Sequence, residues 1–301
     1  MAGISIITPL YKGETYIKKL IQMIADCEAC LKAYDMDSWV EYIMVNDSPS
    51  ENGKYMQEYV ETLAADSGLF KVVYIENDKN RGIHQSRVNG LRYAKGELVL
   101  FLDQDDRLER TAVSKLYQAY MKKKKCDMIV ANGFRQYSDQ KERLYRTGAA
   151  IRLTACKKMY FYGTDLIFSP GQCLIKKSAI PKEWKENILT VNGCDDFYLW
   201  LLMLGHHSRI GNVNECLYYH METEENYSAS FEKMSASYEG MCELLEKTEC
   251  VTKKEIRVLQ RRLALKRLMR QKGVGRTKLI ALVKNADIIS ATILYKLAGY
   301  H

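Results

Sequence analysis

An α/β fold with a mostly parallel central sheet flanked by helices, followed by a helical C-terminal extension, is what the chain predicts. Three observations predict it. Short β-branched runs alternate with helix-period segments from residue 1 to 106, polar clusters fall at the ends of those runs, and the region after residue 230 turns basic and loses its strand pattern. The segment Ile4 to Thr8 is β-branched and bounded by Pro9, which reads as a buried strand ending in a loop. Ile17, Leu20, Ile21 and Ile24 then recur at the spacing of one helix face. A second strand, "VEYIMV" from Val40 to Val45, stops at Asn46-Asp47-Ser48-Pro49. A helix from Gly53 to Ala65, a strand "KVVYIE" at 71 to 76, a helix through "QSRVNGLRYA" and a strand "ELVLFL" at 97 to 102 complete the alternation. Its segment lengths suit crossover connections, so the sheet is predicted to be parallel and covered on both faces. Such sheets bind ligands at the carboxyl ends of their strands, and here those ends carry Thr8-Pro9, Asn46-Asp47 and Asp103 to Asp106.

Past Asp106 the pattern predicts a helix from Thr111 to Lys125 and a strand over 127 to 134. Residues 136 to 164 have mixed periodicity and many basic and aromatic side chains, which suits a substrate-facing excursion. "GQCLIKKSAI" reads as a short strand turning at Pro181, "FYLWLLMLG" as a buried helix opening at Asp195, and Ser208 to Val213 and "CLYYH" up to His220 as strands that close the sheet. From Ser230 to Gln271 helices dominate, with an interruption near Cys250-Val251-Thr252. Leu259, Leu263 and Leu268 form a stripe without a strict heptad, which favours docking on the domain or pairing as a homodimer. Gly273 and Gly275 precede the tail "TKLIALVKNADIISATILYKLAG", amphipathic with basic edges, which reads either as a packed helix or as peripheral membrane contact.

The 301 residues carry a formal charge of +8, but twelve Lys or Arg against Glu255 alone lie between Val251 and Asn285, so the positive field is confined to the C-terminal region. Regular aromatic interleaving and a finger motif are both missing from that run, which argues against nucleic acid; anionic lipid, a polyanionic substrate or a partner fits it, as does a solvated face. The nine scattered cysteines read as reduced thiols, and Cys27-Glu28-Ala29-Cys30 as helix-face residues without a second pair for zinc. The apolar start is too short for a signal peptide and no 18-residue apolar span occurs, so a cytoplasmic protein is expected, with any membrane contact peripheral and at the inner face.

"FLDQDD", residues 101 to 106, places three carboxylates in four positions at a strand end. Held together in a cleft they repel, and one takes up a proton unless a cation compensates. Mg²⁺ or Mn²⁺ accepts one or two carboxylates and completes its shell with phosphate oxygens; the competing reading is a cluster that caps the next helix.

Four blocks in order resemble the family-2 glycosyltransferases, inverting enzymes of GT-A fold: "SIITPLYKGETYIKKLI", "IMVNDSPSENG", "NRGIHQSRVNGLRYAKGELVLFLDQDD" and "NGCDDFYLWL". The resemblance spans residues 4 to 220 and implies a catalytic domain over 1–225, with a nucleotide-sugar half over 1–106 and an acceptor half over 107–225, before a basic helical extension over 226–301. It implies a nucleotide diphosphate sugar as donor, expected to be UDP-linked, and a saccharide or lipid-linked acceptor in surface polysaccharide or glycolipid synthesis. By position it implies that Pro9, Tyr11 and Glu14 border the nucleotide, that Asp47 accepts from the base ring, that Arg87 lies between nucleotide and core with Gly82 and Gly90 about it, and that Asp103 faces ribose or donor sugar. Asp105 falls on the position for metal and diphosphate, His220 on a histidine near them, and Asp195-Asp196 on the pair that supplies the base, Asp196 preferred. Asn46, Lys12 and Val88 depart from the family pattern, which bears on donor identity more than on transfer. The bland alternatives are an N-cap for Asp195, a packed side chain for His220, a surface place for His206 and His207, and solvent exposure for Lys176 and Lys177. Two other functions compete: a sugar-phosphate nucleotidyltransferase, for which "ITPLYKGE" is a poor triphosphate loop, and a non-enzymatic basic membrane-associated scaffold.

Overall fold

The computed structural model describes residues 2–300 apart from 35, 50–52, 70, 124, 139, 223–229 and 274. β1 (Ala2–Leu10), α1 (Glu14–Ala33), β2 (Ser38–Asn46), α2 (Gly53–Asp66), β3 (Val72–Glu76), α3 (Ile83–Tyr93) and β4 (Leu98–Phe101) succeed one another as expected, and the four strands pair in parallel in the order β3-β2-β1-β4. Their residues alternate between two cores, one on each face. Ile4, Ile6 and Leu10 of β1 join Leu98 and Leu100 of β4 on the side of α1 and α2, while Ile7, Val99 and Phe101 join α3 on the other. Burial on both faces is why these strands read as unbroken apolar runs. Cys27 and Cys30 face that first core on α1, where burial pushes the Cys27 thiol up to about 12.

The second half comprises β5 (Arg107–Leu108), α4 (Ala112–Lys122), β6 (Met128–Tyr137), β7 (Gln140–Arg143), α5 (Gly148–Arg152), α6 (Lys157–Tyr162), β8 (Cys173–Lys176), α7 (Lys182–Glu186), α8 (Asp195–Gly205) and β9 (Ile210–Met221). It extends the sheet as β4-β8-β6-β9-β5, with β7 paired to β6. Only β6 and β9 are parallel here; the other pairs are antiparallel. Two sequence expectations change. The separate strands over 208–213 and up to His220 are one strand, β9, whose register against β6 shifts between Ala131 and Gly133; the polar stretch Asn212 to Glu215 masked its continuity. The stretch over 136–164 is not a substrate-facing excursion throughout, because Leu144, Tyr145, Ile151, Tyr160 and Phe161 are buried.

The chain closes with α9 (Phe231–Leu245), α10 (Lys253–Arg270), α11 (Gly275–Lys284) and α12 (Ala286–Leu297). Thr252 and Glu255 form a reciprocal capping box that starts α10 at the expected break. Met241, Leu245, Ile256 and Leu259 enter the same core as α8, so of the leucine stripe Leu259 docks on the domain, while Leu268 is half-buried. The tail is two helices, with Asn285 between them held by Arg261 at 3.0 Å. The boundary at 225–226 lies outside the described residues. Among the described residues no helix is long and apolar enough to cross a membrane.

Candidate active site

Register aligns the carboxyl ends of the parallel strands: Leu10 pairs with Asn46 and Asn46 with Glu76, while β4 stops opposite Ile7 and sends Asp103 to Asp106 over the same edge. Pro9 is buried in β1, and the turn after it is tied to the acidic loop because Tyr11 N donates to Gln104 Oε1 at 2.9 Å and Gln104 Nε2 donates to Tyr11 O at 3.1 Å. Tyr11 is 49% exposed, with Lys12 Nζ 5.6 Å from its ring centroid. Glu14 starts α1 and is exposed. Asp47, just past β2, is buried and accepts from Asn77 Nδ2 at 2.8 Å, Arg81 N at 2.7 Å and Gly82 N at 2.8 Å. Its carboxylate therefore fixes the loop into α3, with both oxygens accepting from these protein donors. Gly82 stands at φ +83°, where a side chain is strained, and an added Cβ would lie 2.8 Å from Asn192 Oδ1. Gly90 lets α3 approach β1, since a Cβ there would lie 2.5 Å from Ile7 Cγ2.

Arg87 projects from α3 into the centre of the site. It is 3% exposed and bonds Asp195 Oδ2 at 2.5 Å and Asp103 Oδ1. Burial works against its charge, but the two carboxylates outweigh burial and raise its pKa. One buried cation thus joins the end of β4 to the start of α8. Asp195 does not cap that helix, contrary to the alternative expectation: the N-cap is Cys194, and Asp195 and Asp196 both sit in the first turn, where the helix dipole favours negative charge. Trp184 Nε1 fixes the Asp195 carbonyl at 2.8 Å.

Asp196 is the one residue of α8 that is not fully buried. Burial, then the like charge of Asp195, raise its carboxyl to about 7. Asp165 nearby is raised further, by burial first and then by Asp196. The two members of the acid pair are therefore divided: Asp195 is paired with an arginine and shut away, and Asp196 is partly accessible with a pKa suited to proton transfer near neutrality.

The acidic loop is divided in the same manner. Asp106 is 4% exposed and structural, accepting from Tyr218 Oη, from Met221 N at 3.1 Å and from Ser169 Oγ at 3.4 Å. Asp103 holds Arg87. Asp105 is half-buried, and among the described residues no other side chain bonds its carboxylate; burial, then Asp106 and Asp103, raise it to about 7. None of the three caps the following helix, whose N-cap is Thr111. His220 lies on β9 with Nδ1 3.2 Å from Asp106 Oδ1 and its ring 4.8 Å from Phe168. Burial lowers its pKa, but the Asp106 hydrogen bond and charge prevail and raise it.

Asp103, Asp105 and His220 do not gather three ligand atoms within 4.8 Å; among the described residues the group that does is Glu183, His206 and Cys250. That group sits at the far end of α8, about 16 Å from the acid pair by helix rise, where the exposed His206 simply bonds Glu183 at 2.8 Å. The acidic loop still fits a divalent ion that takes one protein carboxylate and fills its shell with diphosphate oxygens, since Asp105 is an unpaired carboxylate crowded by two others.

Gln104, Ser169 and Asp165 join the site without a motif that marks them in the sequence. A lone aspartate in the apolar stretch "YGTDLIF" was the available signal for Asp165. Lys177, for which acceptor and solvent both stood open, donates to Ala94 O at 2.6 Å, and His207 is a surface turn residue at φ +61°. Of the family departures, Val88 is core and Asn46 donates to Glu76 Oε1 at 3.1 Å.

Among known proteins, the glycosyltransferase GlyA of Streptococcus pneumoniae is 28% identical over 130 residues, 43% of this chain and 16% of GlyA. The chain covers between 16% and 44% of the length of the curated relatives it matches. Its fold resembles that of S. aureus TarS 1–349 in complex with UDP-GlcNAc, with a TM-score of 0.56 at 15% identity over 99% of this chain and 81% of that one. It also resembles the mannosyltransferase PcManGT from Pyrobaculum calidifontis in complex with GDP-Man and Mn²⁺, with a TM-score of 0.58 at 14% identity over 96% of this chain and 86% of that one. The family model for glycosyl transferase family 2 matches residues 5–184, more than half of the chain, and with a mixed sheet of the same architecture beneath those residues the protein belongs to that family.

Proposed function

We propose that this protein moves a sugar from a nucleotide diphosphate sugar, UDP-linked, to a hydroxyl of a saccharide or lipid-linked acceptor with inversion, and that Asp196 is the base. The observation that carries this reading is the division of the acid pair: Asp195 is bound to buried Arg87, whereas Asp196 has one oxygen held by Phe197 N, no ion pair among the described residues, and a pKa raised to about 7. A base at that position takes the acceptor proton as the oxygen attacks, and no covalent enzyme intermediate is needed. Pro9, Tyr11, Glu14 and Asp47 border the nucleotide, with Tyr11 against the base. Arg87 fixes Asp103 toward the ribose and donor sugar and fixes Asp195 beneath Asp196. Asp105, with His220 behind it, would hold Mn²⁺ or Mg²⁺, which when bound offsets charge growing on the departing diphosphate. Supporting the donor class are the nucleotide sugars carried by TarS and PcManGT on the same fold.

The test is a panel of nucleotide sugars with and without Mn²⁺ or Mg²⁺. Metal-dependent release of nucleoside diphosphate is expected, whereas release of pyrophosphate would identify a nucleotidyltransferase. Asp105→Asn is expected to raise the metal concentration for half-maximal donor binding about ten-fold or more, because one of the few protein ligands loses its charge. Unchanged metal dependence in a folded variant would remove Asp105 from that role.

The catalytic unit is taken as residues 1–225 and the extension as 226–301, which also supplies peripheral contact with an anionic membrane at the cytoplasmic face. Leu279, Val283 and Leu297 are 63%, 71% and 81% exposed, and Arg276, Lys278, Lys284 and Lys296 flank them. Basic edges around an exposed apolar face match an anionic bilayer surface. Leu279→Glu/Val283→Glu/Leu297→Glu is expected to abolish co-sedimentation with vesicles containing phosphatidylglycerol and to leave donor hydrolysis unchanged; equal sedimentation of variant and wild type would dismiss the contact.

A further inference from the structure

Between α9 and α10, beside the acid pair, lies a cavity of about 390 Å³ in which Ser235, Tyr238, Arg262, Lys266 and Arg270 stand among the apolar Phe231, Met234 and Leu263. Three cations converge there and none has an ion-pair partner among the described residues. Arg262 is 3% exposed; its Nη1 donates to Tyr160 O at 2.6 Å and Phe161 O at 3.1 Å, neither of which cancels its charge. Arg270 lies over the Phe231 ring at 4.2 Å. Burial, then the like charge of Arg262, lower the pKa of Lys266. Two hydroxyls add to the cations: Ser235, 4% exposed, and Tyr238 both leave their oxygens without a hydrogen-bond partner. Buried hydroxyls are rarely left unpaired; of the three cations Arg262 is buried while Lys266 and Arg270 are exposed, and the acidic group whose charge bears on Arg262 and Lys266 is Asp165, which burial pushes toward its neutral form.

The cavity adjoins the site. Cys194 lines it and precedes Asp195 directly; Arg262 lies 5.9 Å from the ring centroid of Phe197, the residue after Asp196. The wall is firm there, since Ser237 Oγ accepts from Cys194 N at 3.0 Å and donates to Val191 O at 2.8 Å. An acceptor whose hydroxyl meets Asp196 can thus extend a neighbouring group between the two helices.

We infer that this cavity binds a phosphate group of the acceptor, so that the protein glycosylates a phosphate-bearing polyol or saccharide. Arginine, lysine and hydroxyl donors around one volume match the several acceptor oxygens of phosphate, and charge-assisted bonds are the stronger kind. The inference rests on the transfer reading above, and its test separates the two. Full-length protein, with the donor site filled by UDP and Mn²⁺, is titrated calorimetrically with inorganic phosphate. One site is expected, weakened about ten-fold or more in Lys266→Gln/Arg270→Gln, while that variant keeps wild-type donor hydrolysis and melting temperature. Ser235→Ala, a smaller change, is expected to weaken the same site without altering the fold. In transfer assays a water-soluble polyol phosphate and a detergent-dispersed lipid-linked diphosphate saccharide are each compared with the dephosphorylated counterpart. The source is the one whose KM is lower by about ten-fold than its counterpart's in wild type but not in the double variant. Phosphate binding that is equal in variant and wild type, or KM values indifferent to phosphate for both acceptors, would overturn the inference. Should no donor be hydrolysed, the transfer reading fails, yet phosphate binding lost in the double variant would still assign the cavity.

Discussion

Asp196→Asn is expected to lower kcat by about 10²–10⁴-fold while the KM for donor stays within about two-fold, because a positioned general base contributes about that much and the asparagine keeps the shape of the side chain. The expectation follows from what surrounds the carboxylate. Asp196 Oδ1 accepts from Phe197 N at 2.7 Å, so one oxygen is anchored while the side chain stays accessible. Burial and then Asp195 raise its pKa to about 7. A base works only when deprotonated, so wild-type kcat/KM should climb as pH rises through about 7 and level off above it. In Asp196→Asn that limb should vanish, leaving a low and flat rate. Donor binding measured without turnover tells loss of chemistry from loss of structure. A variant that retains both rate and pH limb would move the base elsewhere, with Asp165, whose carboxyl shares the Asp196 environment, the next residue to replace.

Much of this site is legible in the amino-acid sequence because polarity at strand ends is a local signal. Apolar runs ending in Asn46-Asp47 and Asp103-Gln104-Asp105-Asp106 locate a ligand edge once the strands are parallel, and register then carries the residues together. The division of labour within each acidic cluster is not legible there. Asp105 and Asp106 are adjacent and chemically equal, yet one accepts from Tyr218 and Met221 on β9 and the other has no such partner. Those partners lie more than a hundred residues away in sequence, and no periodicity announces them. The same holds for Arg262, whose place on a basic helix suggests a solvated face but which is buried against the carbonyls of α6. Local pattern gives the element; burial of a charge depends on what packs against it.

Arg87→Met should produce the largest loss of stability of any single change at the site, because it removes the cation from two carboxylates that stay where they are. The pairs with Asp195 and Asp103 are shielded, the arginine side chain being 3% exposed and those of Asp195 and Asp103 4% and 25%. Breaking a buried pair costs about 3–5 kcal/mol, since the remaining charge is uncompensated, even where the intact pair contributes little. In a chain of this size about 1 kcal/mol moves the melting temperature by about 2–4 °C, which places the expected fall near 10 °C. The deficit should depend on pH. Burial already raises the Asp103 carboxyl despite the pull of Arg87, and without that pull its folded pKa rises further above the unfolded value. The folded state then binds more protons than the unfolded one between those two pKa values, so stability falls as pH rises. The difference from wild type should therefore be widest near pH 8 and narrow toward pH 5. Adding Asp103→Asn and Asp195→Asn to Arg87→Met should restore part of the melting temperature by removing both stranded charges, without restoring turnover. A pH-independent deficit, unrelieved by those substitutions, would mean that Arg87 contributes packing volume and not charge.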